Sequence, residues 1–596
     1  MINPSQADRN QLPSYQDPSV PIDERIEDLL GRMTLAEKTG MLFHTMVMIS
    51  PDGDFNLDMG AFGGPSIRDL LDKHITHFNL VGSAGADKIA AWTNQLQELA
   101  ATRRLGIPIT FSSDPRHSFS MNPGAHMSTP AFSQWPEAPG LAAIGDEALV
   151  EQFADIARQE YLAVGLRAAL HPMADLATEP RWARVNGTFG EDNQMAARLT
   201  AAYIRGFQGA ELGPGSIACM TKHFPGGGPQ KDGEDPHFAY GREQVYPGDH
   251  FDYHLRPFEA AFEAGTAMIM PYYGMPIGTE HEAVGFAFNK GIITGLLREK
   301  FGFDGVVCTD WGPLTDAHVA GTVFPARAWG VEHLSLAERA LKALDAGVDQ
   351  FGGEHCPEVV IDLVKSGQLS EARLDASVRR LLRDKFRLGA FEHRFVDEEA
   401  AANIAGNPAF RAAGDLAQRK SIVLLKNDDI LPLSGRPKIY TENIDKAVAT
   451  AYGELVDSPA DADIAILRLQ APYQPRSDIF LEAFFHAGDL DFKGPELDRI
   501  LTIARSLPTI VDIYLDRPAV IPEIAQACAA LLANFGAGDA ALLDVIFGRF
   551  KPTAKLPFEL PSSMDAVRAQ KPDVPHDSEN PLFAHGFGLT NDALLA

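Results

Sequence analysis

The chain has 596 residues, 45% of them hydrophobic and 22% charged, the balance of a globular enzyme and more than one ordinary domain holds. Lys and Arg total 52 against 80 Asp and Glu, a net charge of −28. A field of that sign repels phosphates, which excludes nucleic acid and anionic membrane as partners and suits a neutral small molecule. The four cysteines, Cys219, Cys308, Cys356 and Cys528, form no CxxC pair and read as thiols, neither a disulfide frame nor a zinc site.

Residues 1–22 read as a polar, Pro-rich arm with no apolar leader core, so no secretory signal is expected and the cytoplasm is the default; a leader removed upstream would put the protein in the periplasm. No stretch has the apolar length of a membrane span. Helices begin with RIEDLLGRM, and Thr34 with Glu37 has capping-box spacing. Residues 50–66 are a Gly- and Asp-rich loop.

An alternation then sets in. Strand-length apolar runs stand at 77–82, 106–111, 168–173, 216–221, 267–271, 305–309 and 348–351, with amphipathic helical stretches between most of them. Strand and helix in repeated turn predict parallel β/α units, and the number of units suits a TIM-like (β/α) barrel over 23–389. Residues 390–410 read as a linker. From 411 to 596 a second alternation begins with SIVLLKN, DIAILRL, TIVDIYL and AALLANF as strands. It predicts an αβα sandwich with a mostly parallel sheet. This half has no G-x-G-x-x-G after its first strand and no P-loop, so a nucleotide cofactor has no support.

The run at 305–309 delivers Asp310 and Trp311 to its end, and Gly312-Pro313 stops it. Taken alone, Asp310 is as well read as a turn former as a catalytic group. The other runs decide between the two. Asp114 follows the second run, His171 and Asp175 flank the third, Lys222-His223 close the fourth, Tyr272-Tyr273 the fifth, and Glu354 the seventh. A barrel gathers such strand ends into one ring, where its chemistry is done.

Lys222 and His223 are neighbours, and neighbouring strand side chains point to opposite faces. Both can share a pocket only where the backbone breaks, so Pro225 and Gly226-Gly227-Gly228 predict an irregular 222–226 with a cis Phe224–Pro225 bond. In 179–192, Arg184 could donate to sugar hydroxyls, while Arg181 is expected to fasten the loop through an Arg–Glu pair. The acidic segment 232–237 lacks metal-ligand spacing and reads as a solvated loop. Carboxylates, basic donors and aromatics at one barrel mouth suit cleavage of a polyhydroxylated neutral substrate.

These residues carry a family resemblance. RMTLAEKTGML (32–42), DPRH (114–117), EPRWARVNGTFGED (179–192), KHFPGGG (222–228), MIMPYY (268–273), TDWG (309–312), LLKNDDILPL (424–433), GRFKPTAKLPFELP (548–561) and AHGFGLT (584–590) resemble glycoside hydrolase family 3, in its β-glucosidase-type exo-hydrolases. The resemblance implies a barrel followed by an αβα sandwich, with the site between them. It implies retention of configuration through a covalent glycosyl-enzyme on Asp310. It also implies that Asp114, Arg184, Lys222, His223, Tyr272 and Trp311 line the pocket for the terminal sugar, with no metal or cofactor. The end of the chain just after FGLT leads us to expect the two-domain form without a fibronectin-like third domain.

A retaining glycosidase needs a second carboxyl group about 5–5.5 Å from the nucleophile as acid. Where the family often has GE-x-P-Y, this chain has Gln470-Ala471-Pro472-Tyr473. Of the carboxylates that follow, Glu482, in an aromatic stretch, is the chosen acid, with Asp489 as the next candidate. The expected substrate is a small β-glycoside or oligosaccharide, β-glucoside before β-xyloside, and a homodimer is compatible. The alternatives are a β-N-acetylhexosaminidase of the same family and a sugar-binding homologue without catalysis. Hydrolysis of nitrophenyl glycosides separates these readings.

Overall fold

The computed structural model describes residues 13–57, 64–122, 124–319 and 321–590; the N-terminal arm as far as residue 12 and the middle of the 50–66 loop fall outside them. Eight parallel strands make the first sheet: β1 (Phe43–Met48), β2 (His77–Val81), β3 (Thr110–Ser113), β4 (Leu166–Ala169), β5 (Ala218–Phe224), β6 (Met268–Pro271), β7 (Val306–Val307) and β8 (Phe351–Gly352). Their order is 8-1-2-3-4-5-6-7. The two ends meet, since Cys308 bridges Gln350 in parallel and Gln350 N donates to Val307 O at 3.0 Å. The sheet therefore closes into a barrel.

The sequence predicts seven of these strands and misses β1. FHTMVM follows the capped helix Leu35–Met41 with only Leu42 between them, so its apolar residues read as a continuation of the helix face. Its polar members His44 and Thr45 are themselves buried, which hides the strand pattern. The Thr34–Glu37 capping box forms as predicted. Strand β3 begins four residues later than the apolar run, because Gly106 turns with φ 56° and Pro108 has no N–H to give a ladder.

Strand β5 runs on through Lys222 and His223. Its register with β6 shifts between Lys222 and Phe224, a bulge at His223 that lets both neighbours face the same side. The Lys222–His223 and Phe224–Pro225 bonds are both cis, so the irregular backbone expected at 222–226 is present.

The second sheet contains β9 (Val423–Asn427), β10 (Lys438–Glu442), β11 (Glu454–Leu455), β12 (Ile464–Gln470), β13 (Thr509–Tyr514) and β14 (Ala530–Asn534), in the order 9-14-13-12-10-11. Only the β9–β14 pair is antiparallel among them. Strand β10 and the two-residue edge strand β11 carry too many polar residues to stand out in the sequence. The 390–410 segment, read from the sequence as the linker, includes the helix Glu398–Ile404, packed against the barrel helices Ala86–Ala101 and Glu147–Ala163.

The second domain is fastened to loops that follow β3, β4 and β5. Glu137 N donates to Phe535 O at 2.8 Å. Glu191 accepts from the backbone of Glu559 and His576 at 2.8 and 3.0 Å. Arg476 grips Glu234 through two bonds of 2.5 and 2.7 Å. All three loops lie at the C-terminal ends of the strands, so the sandwich sits across the barrel mouth.

Candidate active site

A cavity of about 130 Å³ opens at that mouth, lined among others by Asn79, Asp114, Arg184, Lys222, His223, His237, Tyr273, Asp310, Trp311 and Arg327. Six of the sequence-predicted residues thus meet there: Asp114, Arg184, Lys222, His223, Asp310 and Trp311. Lys222 Nζ donates to Asp114 Oδ1 at 2.8 Å, and Asn79 Nδ2 to Asp114 Oδ2 at 3.2 Å. Asp310 lies across the barrel, on the strand four places away from that of Asp114. Its Oδ1 accepts from Trp311 N at 2.8 Å. Its Oδ2 is buried without a hydrogen-bond partner and stands 3.7 Å from His223 Nε2. An unpartnered carboxylate oxygen at a cavity wall is a group held ready for a ligand atom.

His223 is held by Asp175. The carboxylate accepts from His223 Nδ1 at 2.7 Å, from His223 N at 3.1 Å and from Gly227 N. Burial pushes the His223 ring well below its ordinary pKa, so it is neutral. With Nδ1–H donating to Asp175, Nε2 is left to accept. Burial raises Asp175 to about 6, against the pull of those N–H bonds and of Arg184 and Lys222. Gly227 is required by close approach, since a Cβ there would meet Asp175 Oδ1 at 2.9 Å and Trp182 at 3.1 Å. This is why the PGGG stretch follows the Lys–His pair.

The segment 232–237 corrects the sequence reading. Asp235 and His237 are buried at 4% and 6% exposure, not solvated. Asp235 accepts from His237 Nδ1 at 2.6 Å, Trp182 Nε1 at 2.9 Å and Tyr272 OH at 3.0 Å. Burial works to raise Asp235, but His237 and Arg184 outweigh it and hold the carboxyl at about 2. A carboxylate with so many local donors needs no metal; its backbone turn hid it in the sequence among exposed acidic neighbours.

Two predicted residues stand apart from the cavity. Tyr272 lies behind His223, ring centroids 4.3 Å apart, and does not line the cavity; its neighbour Tyr273 does, with its OH on Trp311 O at 2.7 Å. Glu482 is 5% exposed. Its carboxylate accepts from Ile479 N at 3.0 Å and Tyr240 OH at 2.9 Å, while Ile479, Phe480 and Leu481 of the same turn line the cavity. Among the remaining strand ends, His171 is clasped by Tyr161 and Tyr203 at 3.2 and 2.7 Å, and Glu354 props the loop after Asp310 through Leu314 N and Thr315. Arg181 pairs with Glu179 through two 2.9 Å bonds, as expected. Among the described residues, no group of three His, Cys, Asp or Glu side chains could hold a metal.

Arg184 and Lys222 also line a second cavity of about 80 Å³ with His126, Glu137 and Asn186. Glu137 accepts from Tyr514 OH at 2.6 Å and from Ser120, and burial pushes it up to about 7 from 4.5. The folded protein keeps this proton to about pH 7, whereas the unfolded chain loses it near 4.5. The stabilisation is therefore complete below pH 4.5 and lost as pH rises through 7, by up to about 3 kcal/mol. Thermal melts at pH 4.5 and 8 should show Glu137→Gln losing part of the wild-type decline. Asp175 and Asp384, raised to about 6 and 7, keep the rest.

Comparison with known proteins agrees with this geometry. Residues 69–383 match the glycosyl hydrolase family 3 N terminal domain and residues 439–591 the C-terminal domain of that family. A beta-glucosidase C from Emericella nidulans is 53% identical, covering 98% of this chain and 94% of its own. A periplasmic beta-glucosidase/beta-xylosidase from Dickeya chrysanthemi is 41% identical, covering 97% and 92%. The solved structure of a variant exo-1,3/1,4-beta-glucanase from a Pseudoalteromonas species shares the fold with a TM-score of 0.77, at 21% identity and 96% coverage of both chains. A closed barrel capped by an αβα sandwich, a strand-end aspartate facing a Lys–His pair, and matches to both family domains make this chain a member of glycoside hydrolase family 3.

Proposed function

We propose that the protein is a retaining exo-β-glucosidase, with Asp310 as the nucleophile. The observation that carries this reading is the unpartnered Oδ2 of Asp310, at a cavity that Asp114, Arg184, Lys222 and His223 also line. A terminal sugar seated between Asp310 and the Asp114–Lys222 pair would put its anomeric carbon at Asp310 and its far hydroxyls on that pair. His223, Arg184 and Trp311 supply an acceptor, a cation and a flat apolar ring for the pyranose. Asp310 attacks the anomeric carbon, the bond to the leaving oxygen breaks, and water later releases the sugar with its configuration kept. Names of relatives at 53% and 41% identity support β-glucoside as substrate, and the Dickeya relative's name supports β-xyloside as the second.

Glu482 is our candidate for the acid, and its side chain must turn from Tyr240 into the cavity to serve. Loss of general acid catalysis costs about 10²–10⁴-fold, and mostly on leaving groups that need a proton. Glu482→Gln should therefore lose that much on cellobiose and little on 2,4-dinitrophenyl β-glucoside. Equal rates for variant and wild type on cellobiose would assign the acid to another carboxylate. The reading as a whole is tested with a panel of nitrophenyl glycosides and NMR of the first-formed anomer; first release of α-glucose from a β-glucoside would overturn it.

For location, the cytoplasmic and periplasmic expectations are separated by cell fractionation. No helix among the described residues is long and apolar enough to cross a membrane, and the Dickeya relative is named periplasmic.

A further inference from the structure

Few of the ionisable groups around Asp310 carry charge that is free to act on it. Lys222 is taken up by Asp114. Burial pushes the His223 ring well below its ordinary pKa, so it is neutral. Burial also keeps Tyr272, Tyr273 and Cys308 protonated, all raised well above their ordinary values. Two cations remain near Asp310, Arg184 and Arg327. Arg184 answers Asp235 and Asp175 as well.

Arg327 is 8% exposed, and burial works against its charge. A buried charge is retained where an opposite charge answers it. Two carboxylates act on Arg327, Asp310 more than Glu354. Glu354 spends its oxygens on Leu314 N, Thr315 N and Thr315 Oγ1, whereas Asp310 Oδ2 has no partner. Arg327 and Asp310 line the main cavity together, and they also line a void of about 10 Å³.

The seat of Arg327 does not depend on Asp310. Its guanidinium lies over Phe324, 3.7 Å from the ring centroid, and 5.8 Å from that of Tyr273, and ring faces hold a cation. Its backbone N donates to Gly312 O at 2.9 Å, and a Cβ on Gly312 would sit 2.6 Å from its Nη1. Residue 312, two past Asp310, is therefore glycine where Arg327 must lie. The cation stays in place when Asp310 loses or regains its charge.

We propose that Arg327 is a positioning residue for the second half of the reaction, its fixed charge drawing Asp310 off the sugar when the covalent intermediate is hydrolysed. The proposal rests on the reading of Asp310 as nucleophile and deepens it. In that half a water oxygen bonds to the anomeric carbon, and the bond from that carbon to the Asp310 oxygen breaks. The electron pair of that bond returns to the carboxylate, and the water's proton passes to the base that served as acid in the first half. Arg327 faces a neutral ester before this step and an anion after it, so it favours the transition state over the intermediate. In the first half the charge on Asp310 falls, and Arg327 gives that half no help.

The test reads the two halves separately by trapping the intermediate with 2,4-dinitrophenyl 2-deoxy-2-fluoro-β-D-glucoside. After removal of excess reagent, Arg327→Met should regain activity about tenfold more slowly than wild type, the scale of a partly developed charge facing a near cation. Its rate of inactivation should not fall. Arg327→Lys should restore part of the regain. A regain as fast as that of wild type, or an inactivation slowed as much as the regain, overturns the role of Arg327 alone. A wild type that hydrolyses nitrophenyl β-glucoside but is not inactivated by the fluoro sugar overturns the covalent reading and this proposal with it. Should Arg327→Met fail to fold, Phe324→Leu, which removes the ring beneath the guanidinium, must slow the regain; an unmoved regain there also overturns the proposal.

Discussion

Asp310→Asn should remain folded and lose kcat/KM on 4-nitrophenyl β-glucoside by about 10⁴–10⁶-fold, the scale on which enzymes lose rate when a nucleophile is removed. Stability should barely change. The Oδ2 of Asp310 makes no hydrogen bond in the fold, and the bond from Trp311 N to Oδ1 is one an Asn oxygen also accepts. A carboxylate that the fold does not use for its own stability is free to be spent on a substrate. The smaller Asp310→Gly variant sharpens the test. With added azide it should form glucosyl azide of α configuration, because the external anion attacks from the face the carboxylate has vacated. Retained activity in Asp310→Asn, or unfolding of that variant, would remove the nucleophile assignment.

Asp175→Ala should destabilise the protein by about 3–5 kcal/mol, as loss of one partner from a buried charged network does, and lower kcat by about 10²-fold through misplacement of His223. Asp175 has no exposed surface and accepts from the ring and backbone of His223 and from Gly227, so its removal strands three donors in a dry interior. It is a positioning residue: it touches His223, and His223 faces Asp310. Thermal melts and steady-state kinetics on one preparation separate its two effects. Asp175→Asn should recover part of the stability, since its carbonyl still accepts, but less of the activity, because its amide nitrogen faces the His223 donor it must hold. A kinetic loss no larger than the loss of folded protein would leave Asp175 a purely structural residue.

These two aspartates show what kind of signal a sequence carries. Asp310 was visible because it ends a short, wholly apolar run and is followed by Gly-Pro. Lys222, His223 and Asp114 were visible for the same reason, each at the end of a run. Tyr273 is named with Tyr272 at the end of its run, but the pocket role goes to its neighbour; Asp235, His237 and Arg327, which the sequence does not single out, lie in loops. There, an acidic residue looks solvated and an arginine looks like surface. Asp235 became recognisable only when Trp182, 53 residues away, was seen to donate to it. Arg327 became recognisable only when the hairpin folded Phe324 beneath it.

The sequence by itself determined the two-domain α/β architecture, most of the strands, the family, and which side chains ring the barrel mouth, because strand periodicity and the residue that stops each strand are local properties of the chain. Only the tertiary structure decided which of those side chains face the cavity, which are buried supports, and that Glu482 stands turned toward Tyr240. Burial and hydrogen-bond pairing are made by residues far apart in the chain, and whether a polar group is satisfied or left open to a ligand depends on partners that no local pattern names.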